Sequence, residues 1–263
     1  MKATDGWTAG ILGWVLIVFT LIFLPRQACA SILLSAANNA TVQPAGPRPG
    51  VNGKQFFNIE GAGNGAFASF GVVDFQSSPM SVQVNSLTLA LTQANAAFTN
   101  NGSLVFYLST DTITNIEPAT SPLIYNVADI PTGLGTQLSL TFLLGTDSFT
   151  QVSDGTENTF SFSPGAAVVS YLESQAAAGG LIRLVIAPGD SSVAATYAGF
   201  TNGAFAAPRL TLVTAVPEPG TLGGVSSALL AFAAVLSRTR CRPSTTKART
   251  AILEGPVITS SLR

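Results

Sequence analysis

The sequence predicts a mainly β protein: a β-sandwich of jelly-roll type with one short helix, flanked by an N-terminal signal peptide and a C-terminal transmembrane helix. Three observations lead there. Between Gln55 and Val213, short apolar stretches alternate with turn chemistry at frequent intervals. Charged residues are only 10% of the chain, too few for a helical bundle, and 47% hydrophobic residues are too many for a disordered chain. An apolar segment lies near each end, outside that region. A β-solenoid is the alternative, but it needs a fixed internal period and the chain has none.

The N-terminal segment comes first. Lys2 opens it, Ala9 to Leu24 carries no charge, Pro25 and Arg26 break the run, and Ala28-Cys29-Ala30 supplies small residues. Residues 1–30 therefore read as a signal peptide, with Ala28 and Ala30 at the processing positions and cleavage after Ala30. Trp7 and Trp14, the only tryptophans, leave with it.

Residues 31–54 are expected to be a flexible lead-in, because Asn38 to Gly53 is rich in Asn, Pro and Gly. The β-domain is expected over 55–215. Phe67 to Phe75 reads as a strand pair or one long bent strand. Val82 and Val84 alternate in one phase and Leu87, Leu89 and Leu91 in the other, the sequence mark of a β-bulge. Asn100-Asn101-Gly102 is a turn leading into a central strand over Ser103 to Leu108. Further strands are expected at Leu138 to Leu144, Asn158 to Phe162, Leu181 to Ile186, Ala194 to Phe200 and Arg209 to Val213. One helix is expected to pack on the rim of a sheet. Pro164 opens it, Val168, Val169, Leu172 and Ala176 form its apolar side, and Gly179-Gly180 stops it.

Residues 216–242 have a fixed order of chemistry. Val216-Pro217-Glu218-Pro219-Gly220-Thr221-Leu222 begins with two prolines that cannot join a helix interior. An apolar run to Leu236 follows, and then Arg238, Arg240 and Arg242 form a stop that does not cross a bilayer cheaply. The run from Leu222 to Leu236 falls short of the roughly 20 residues of a full span, so flanking residues or snorkelling arginines must complete it. Residues 243–263 are expected to be a cytoplasmic or disordered tail.

This arrangement resembles the PEP-CTERM sorting signal of exported bacterial proteins. The resemblance implies recognition of Val216, Pro217, Glu218 and Pro219 by an exosortase, a membrane protease. It also implies transient residence in the inner membrane, delivery to the cell surface or extracellular matrix, and association with exopolysaccharide and biofilm. The chain would then be a substrate with no catalytic duty of its own. The body is similar, more loosely, to DNRLRE-type surface sandwiches. Ser86 to Leu91, Gly102 to Tyr107, Gly180 to Leu184 and Ala207-Pro208-Arg209-Leu210-Thr211-Leu212 follow their strand pattern.

Charge and composition limit the chemistry. Four basic and ten acidic residues between Ser31 and Ala215 give a net of −6, so no basic face is offered to nucleic acid. From Ser237 onward, six basic residues against one acidic give +5, which suits a cytoplasmic flank. The chain has no histidine, and its two cysteines, Cys29 and Cys241, lie in the end segments. Histidine-based triads and His-ligated zinc are thereby excluded.

No cofactor is expected. Asp154-Gly155-Thr156-Glu157-Asn158 is an oxygen-rich turn in which Asp154 and Glu157 could hold calcium, although Asx-type turns use the same residues for local hydrogen bonds. Ala187-Pro188-Gly189-Asp190 is a weaker case of the same kind. Glu60, Asp74, Asp111, Glu157 and Glu173 could pair as acid and base in a glycosidase, but scattered carboxylates usually only solvate an exported domain. Gly61-Ala62-Gly63-Asn64-Gly65 lacks the lysine and helix of a phosphate loop. Phe56, Phe57, Phe67, Phe70 and Phe75 read as core. A carbohydrate-binding, lectin-like module is the alternative function, with Tyr125 and Tyr197 as the rings that would cover a sugar face.

Overall fold

The computed structural model describes residues 28–216, a mainly β unit built on one antiparallel sheet. In chain order the strands are β1 (Ala28–Gln43), β2 (Gly46–Pro47), β3 (Phe56–Glu60), β4 (Phe70–Gln76), β5 (Val84–Thr92) and β6 (Gly102–Ser109). They continue with β7 (Leu140–Phe149), β8 (Glu157–Phe162), β9 (Leu181–Pro188), β10 (Ala194–Ala198) and β11 (Arg209–Val216). Two helices, α1 (Gly50–Gln55) and α2 (Ala166–Ala178), and two 3-10 turns, Ala62–Phe67 and Ala96–Phe98, complete it.

The large sheet runs β7-β6-β9-β4-β1-β11-β5-β8, with β2 paired to β1. β1 joins its two halves. Ala28 to Ser35 pair with β11, the register slips between Ala36 and Asn38, and Asn38 to Val42 pair with β4. A slip of this kind bends a strand and increases its twist. The sheet curls until its edge strands meet, and Gly145 of β7 lies beside the Phe162 ring of β8. The ladder is nearly closed.

The core fills the interior of this curl. Val73 and Phe75, Leu104 and Phe106, and Ile182, Leu184 and Ile186 come from one half; Leu87, Leu89, Leu91, Phe160, Phe162, Leu210 and Leu212 come from the other. A small second sheet, β10 paired with β3, adds Phe57, Ile59, Ala195 and Tyr197 to the same cluster. Phe106 meets Phe160 and Phe162 with ring centroids 4.6 and 5.1 Å apart. The alternate residues of β4 and β9 (Phe70, Val72, Val185 and Ala187) face outward. They are covered by Ile116, Leu123, Tyr125, Leu134 and Leu138 of the segment between β6 and β7. This two-sided burial explains why β9 is apolar at every position but Arg183, where alternation would otherwise be expected.

Several expectations hold in detail. The phase switch after Val84 is a bulge: Val213 pairs with Ser86 but Thr214 with Val84, leaving Asn85 unpaired. The helix is α2, with Val168, Leu172 and Ala176 buried and Gly179 ending it at φ +64, a conformation that favours glycine. It touches β5 and β9, one strand from each half of the sheet. β6 is central, between β7 and β9.

The lead-in expected over 31–54 is corrected. Its first part belongs to β1, in the middle of the sheet, because its polar residues are satisfied by distant parts of the chain. Buried Asn39 donates to Gly53 O (3.1 Å) and accepts from Phe200 N (2.7 Å), and Thr41 Oγ1 accepts from Asn58 N (2.9 Å). Among the described residues no helix is long and apolar enough to cross a membrane. The expected transmembrane segment from Leu222 to Leu236 and the hydrophobic leader from Ala9 to Leu24 lie outside them.

Candidate functional site

The described residues contain a cleft of about 440 Å³ beside the small β3–β10 sheet. Its lining comes from four separate stretches. Arg48 follows β2 and is fixed by its backbone N–H donating to Thr41 O at 2.8 Å. Asn58 and Glu60 stand on β3, with Ala194 facing them from the start of β10. Asn64 and Phe67 come from the first 3-10 turn, and Asn95, Phe98, Thr99 and Asn100 from the second turn and its flanks.

The first turn is the glycine-rich Gly61 to Gly65 stretch. Gly61 and Gly63 let it lie against the backbone of Asp190 and Ser191, where a Cβ at Gly61 would come within 2.3 Å of Asp190 O. Their N–H groups donate to Val193 O and Ser191 O, both at 2.8 Å. Asn64 Nδ2 adds a bond to Val193 O at 3.0 Å, so the turn is a support for the cleft. The second turn starts from Asn95 in the left-handed region (φ +58), and Asn100 exchanges backbone bonds with Ala194 at 2.7 and 3.1 Å.

Asn58 is the centre of the polar network. Its Oδ1 accepts from Arg48 Nη1 at 3.3 Å, and its Nδ2 donates to Glu60 Oε1 at 3.2 Å and Thr196 Oγ1 at 2.9 Å. Burial pushes the Glu60 carboxyl up to about 7, against the opposing influence of Asn58 and Arg48. Phe67 and Phe98 are 64% and 69% exposed, one on each turn. Phe67 was expected in the core; it ends a turn whose other side is already occupied by the Asp190–Ser191 backbone.

The structure places the residues singled out in the sequence as follows. Tyr197 is fully buried between Phe57 and Phe149, at centroid distances of 5.5 and 5.9 Å. Tyr125 is 2% exposed, and its hydroxyl donates to Pro131 O at 3.3 Å. The expectation that these two rings cover a sugar is corrected: both are core, because an amphipathic ring fills an interior as readily as a surface. Asp154 Oδ1 accepts from Ala96 N at 2.6 Å, while Glu157 pairs with Arg209. Each is engaged separately, and among the described residues no group of three acidic, Cys or His side chains gathers as a metal site.

Asp190 serves local structure. Burial alone would raise its pKa, but donation from Ser103, Ser192 and Val193 outweighs it and holds the carboxyl at about 2. Of the five carboxylates considered as an acid–base pair, only Glu60 lines the cleft. Asp74 is bound to Arg183, Glu157 to Arg209, Glu173 accepts from Val84 N, and Asp111 holds Thr114.

Ala28 and Ala30 lie in the first three residues of β1, opposite Val216 and Thr214. Val216 is the last residue of β11. Pro217, Glu218 and Pro219, and Arg238, Arg240 and Arg242, lie outside the described residues.

The cleft residues Arg48, Asn58, Asn64, Phe98 and Asn100 were not singled out as site residues by sequence. They come together only when β3 pairs with β10 and Asn100 bridges to Ala194. No family model matches this chain, and no curated protein matches it.

Proposed function

We propose that this chain is an exported protein of structural or interaction type, held in the inner membrane by its C-terminal segment and released to the cell surface or matrix by an exosortase. The observation that carries this reading is the order Val-Pro-Glu-Pro, apolar run, arginine cluster at 216–242. The β unit, on this reading a jelly-roll sandwich whose layers are the two halves of the curled sheet, is the cargo. The chain's own residues recognise no substrate at that end; Val216 to Pro219 are what is recognised.

On this reading, processing changes one strand pairing. Cleavage after Ala30 leaves Ser31 as the first residue, opposite Val213. Thr214 keeps its partner Val84 on β5, whereas among the described residues Ala215 and Val216 have pairing partners only in Cys29 and Ala28. Removing the leader would thus leave the end of β11, next to the sorting segment, without its β1 partners. The test is a Pro217→Ala, Pro219→Ala double variant produced in its native cell. It should keep its C-terminal segment and accumulate in the membrane; trimming and delivery like the wild type would sink the proposal.

A second reading, a saccharide-binding module, is favoured by one observation: amides, a guanidinium and two exposed phenylalanine rings share a single cleft. Polar groups that match hydroxyls beside apolar plates are the elements of sugar recognition. The two readings are compatible, since a displayed matrix protein gains a use from such a cleft.

A further inference from the structure

We propose that the cleft between β3 and the two 3-10 turns binds a saccharide bearing a carboxylate, a uronate unit of an acidic polysaccharide. This rests on the saccharide-binding reading above and names its ligand class.

A cation without an ion pair is the first observation. The described residues hold four basic side chains, of which Lys54, Arg183 and Arg209 form ion pairs with Glu117, Asp74 and Glu157. Arg48 forms none among the described residues; its guanidinium gives one hydrogen bond, to Asn58, at 3.3 Å. In a body of net charge −6, Arg48 shares the cleft with Glu60, whose carboxyl feels its charge, but the two form no ion pair among the described residues. A guanidinium offers five donors in a planar fork that matches a carboxylate bidentately. A neutral sugar would leave that fork unmatched.

The exposed rings are the second observation. Phe67 and Phe98 present apolar faces at the cleft, and a simple anion would make no use of them. A pyranose ring with its C–H face on phenylalanine and its hydroxyls toward amides uses both. Asn95 and Asn100 line the same space. The volume, about 440 Å³, lies within the ordinary range of roughly 300–1,000 Å³ for small-ligand sites.

Glu60 then gives the site a dependence on pH. It and Arg48 are the two charged groups lining the cleft. With its carboxyl near 7, Glu60 is neutral and can donate in mildly acidic medium, and it is negative and repels a uronate in alkaline medium. Affinity should therefore fall as pH rises through neutrality.

The experiment titrates the purified full-length chain, in detergent, with hexamers of galacturonate, glucuronate and mannuronate and with neutral cellohexaose, at pH 5.5 and 8.5. Saturable binding of at least one uronate hexamer, at least tenfold tighter than cellohexaose and weaker at pH 8.5, is expected. Arg48→Gln, which keeps a donor for Asn58, should lose most of that preference. Phe98→Ala, at an exposed position, should weaken binding several-fold without shifting the thermal midpoint. Glu60→Gln should bind with little dependence on pH. Equal binding of cellohexaose, or an Arg48→Gln variant as selective as wild type, overturns the uronate assignment while leaving the saccharide reading standing. No saturable binding of any of the four overturns both.

Discussion

Asp74 on β4 and Arg183 on β9 form a two-point ion pair on the outward face of the sheet, with Nε–Oδ1 at 2.7 Å and Nη2–Oδ2 at 2.8 Å. Both side chains are almost wholly buried, at 6% and 3% exposure. The remaining guanidinium nitrogen donates to Asp111 O and Thr114 O at 2.9 and 2.8 Å, tying the segment after β6 to the sheet. One arginine therefore fixes two strands and the covering loop.

Breaking that pair from one side strands a buried charge. Arg183→Met should cost about 3–5 kcal/mol, since Asp74 keeps its burial and loses its partner. An Asp74→Leu, Arg183→Met double variant should recover a large part of the loss. Urea unfolding measures both. A single variant within about 0.5 kcal/mol of wild type would show that the pair holds nothing together.

Tyr197 carries an isolated hydroxyl. Its oxygen is buried without a hydrogen-bond partner among the described residues, and burial raises its pKa far above the ordinary tyrosine value. Removing an unsatisfied polar group removes its desolvation penalty, so Tyr197→Phe should be neutral or stabilise by about 1–2 kcal/mol. Tyr197→Ala should instead cost about 3–5 kcal/mol through the cavity left between Phe57 and Phe149. A clear loss of stability in Tyr197→Phe would reveal a partner for that hydroxyl.

Glu60 predicts a slope in stability with pH. Its folded pKa, about 7, lies above the unfolded value near 4.5. The folded state therefore binds the proton more tightly, and its contribution is full below pH 4.5 and lost as pH rises through 7. Glu60→Gln should flatten that part of the stability curve, matching wild type at pH 4.5 and exceeding it at pH 8. Parallel curves for the two proteins would contradict the burial of this carboxyl.

Cleavage after Ala30 should open the end of β11 to hydrogen exchange. A chain beginning at Ser31 lacks the partners of Ala215 and Val216, whereas Leu210 and Leu212 keep theirs on both sides. Amides at 215 and 216 should exchange at nearly unprotected rates and those at 210 and 212 far more slowly. Equal protection along the strand would show that the free end is held in another way.

Local chemistry made part of this fold readable and long-range pairing hid the rest. The bulge at Asn85 shows in the phase change from Val84 to Leu87, and the end of α2 shows in Gly179, because each is decided within a few residues. β1 does not show. Asn38, Asn39 and Thr41 have turn-like composition, and only Gly53, Lys54, Asn58 and Phe200 folding against them make a strand of that stretch. The burial of Tyr125 and Tyr197 does not show either, because an amphipathic ring carries no mark of whether it fills a core or covers a surface. The cleft stayed hidden for a related reason: Arg48, Glu60 and Phe98 stand far apart in sequence and share no spacing rule.

The proposal of an exported, trimmed protein is tested most directly by the mass and N-terminal sequence of the chain recovered from the surface of the cells that make it. A chain beginning at Ser31 and lacking Arg238, Arg240 and Arg242 is expected. Recovery of a chain that still carries residues 1–30, or the arginine cluster with the tail to Arg263, would contradict it.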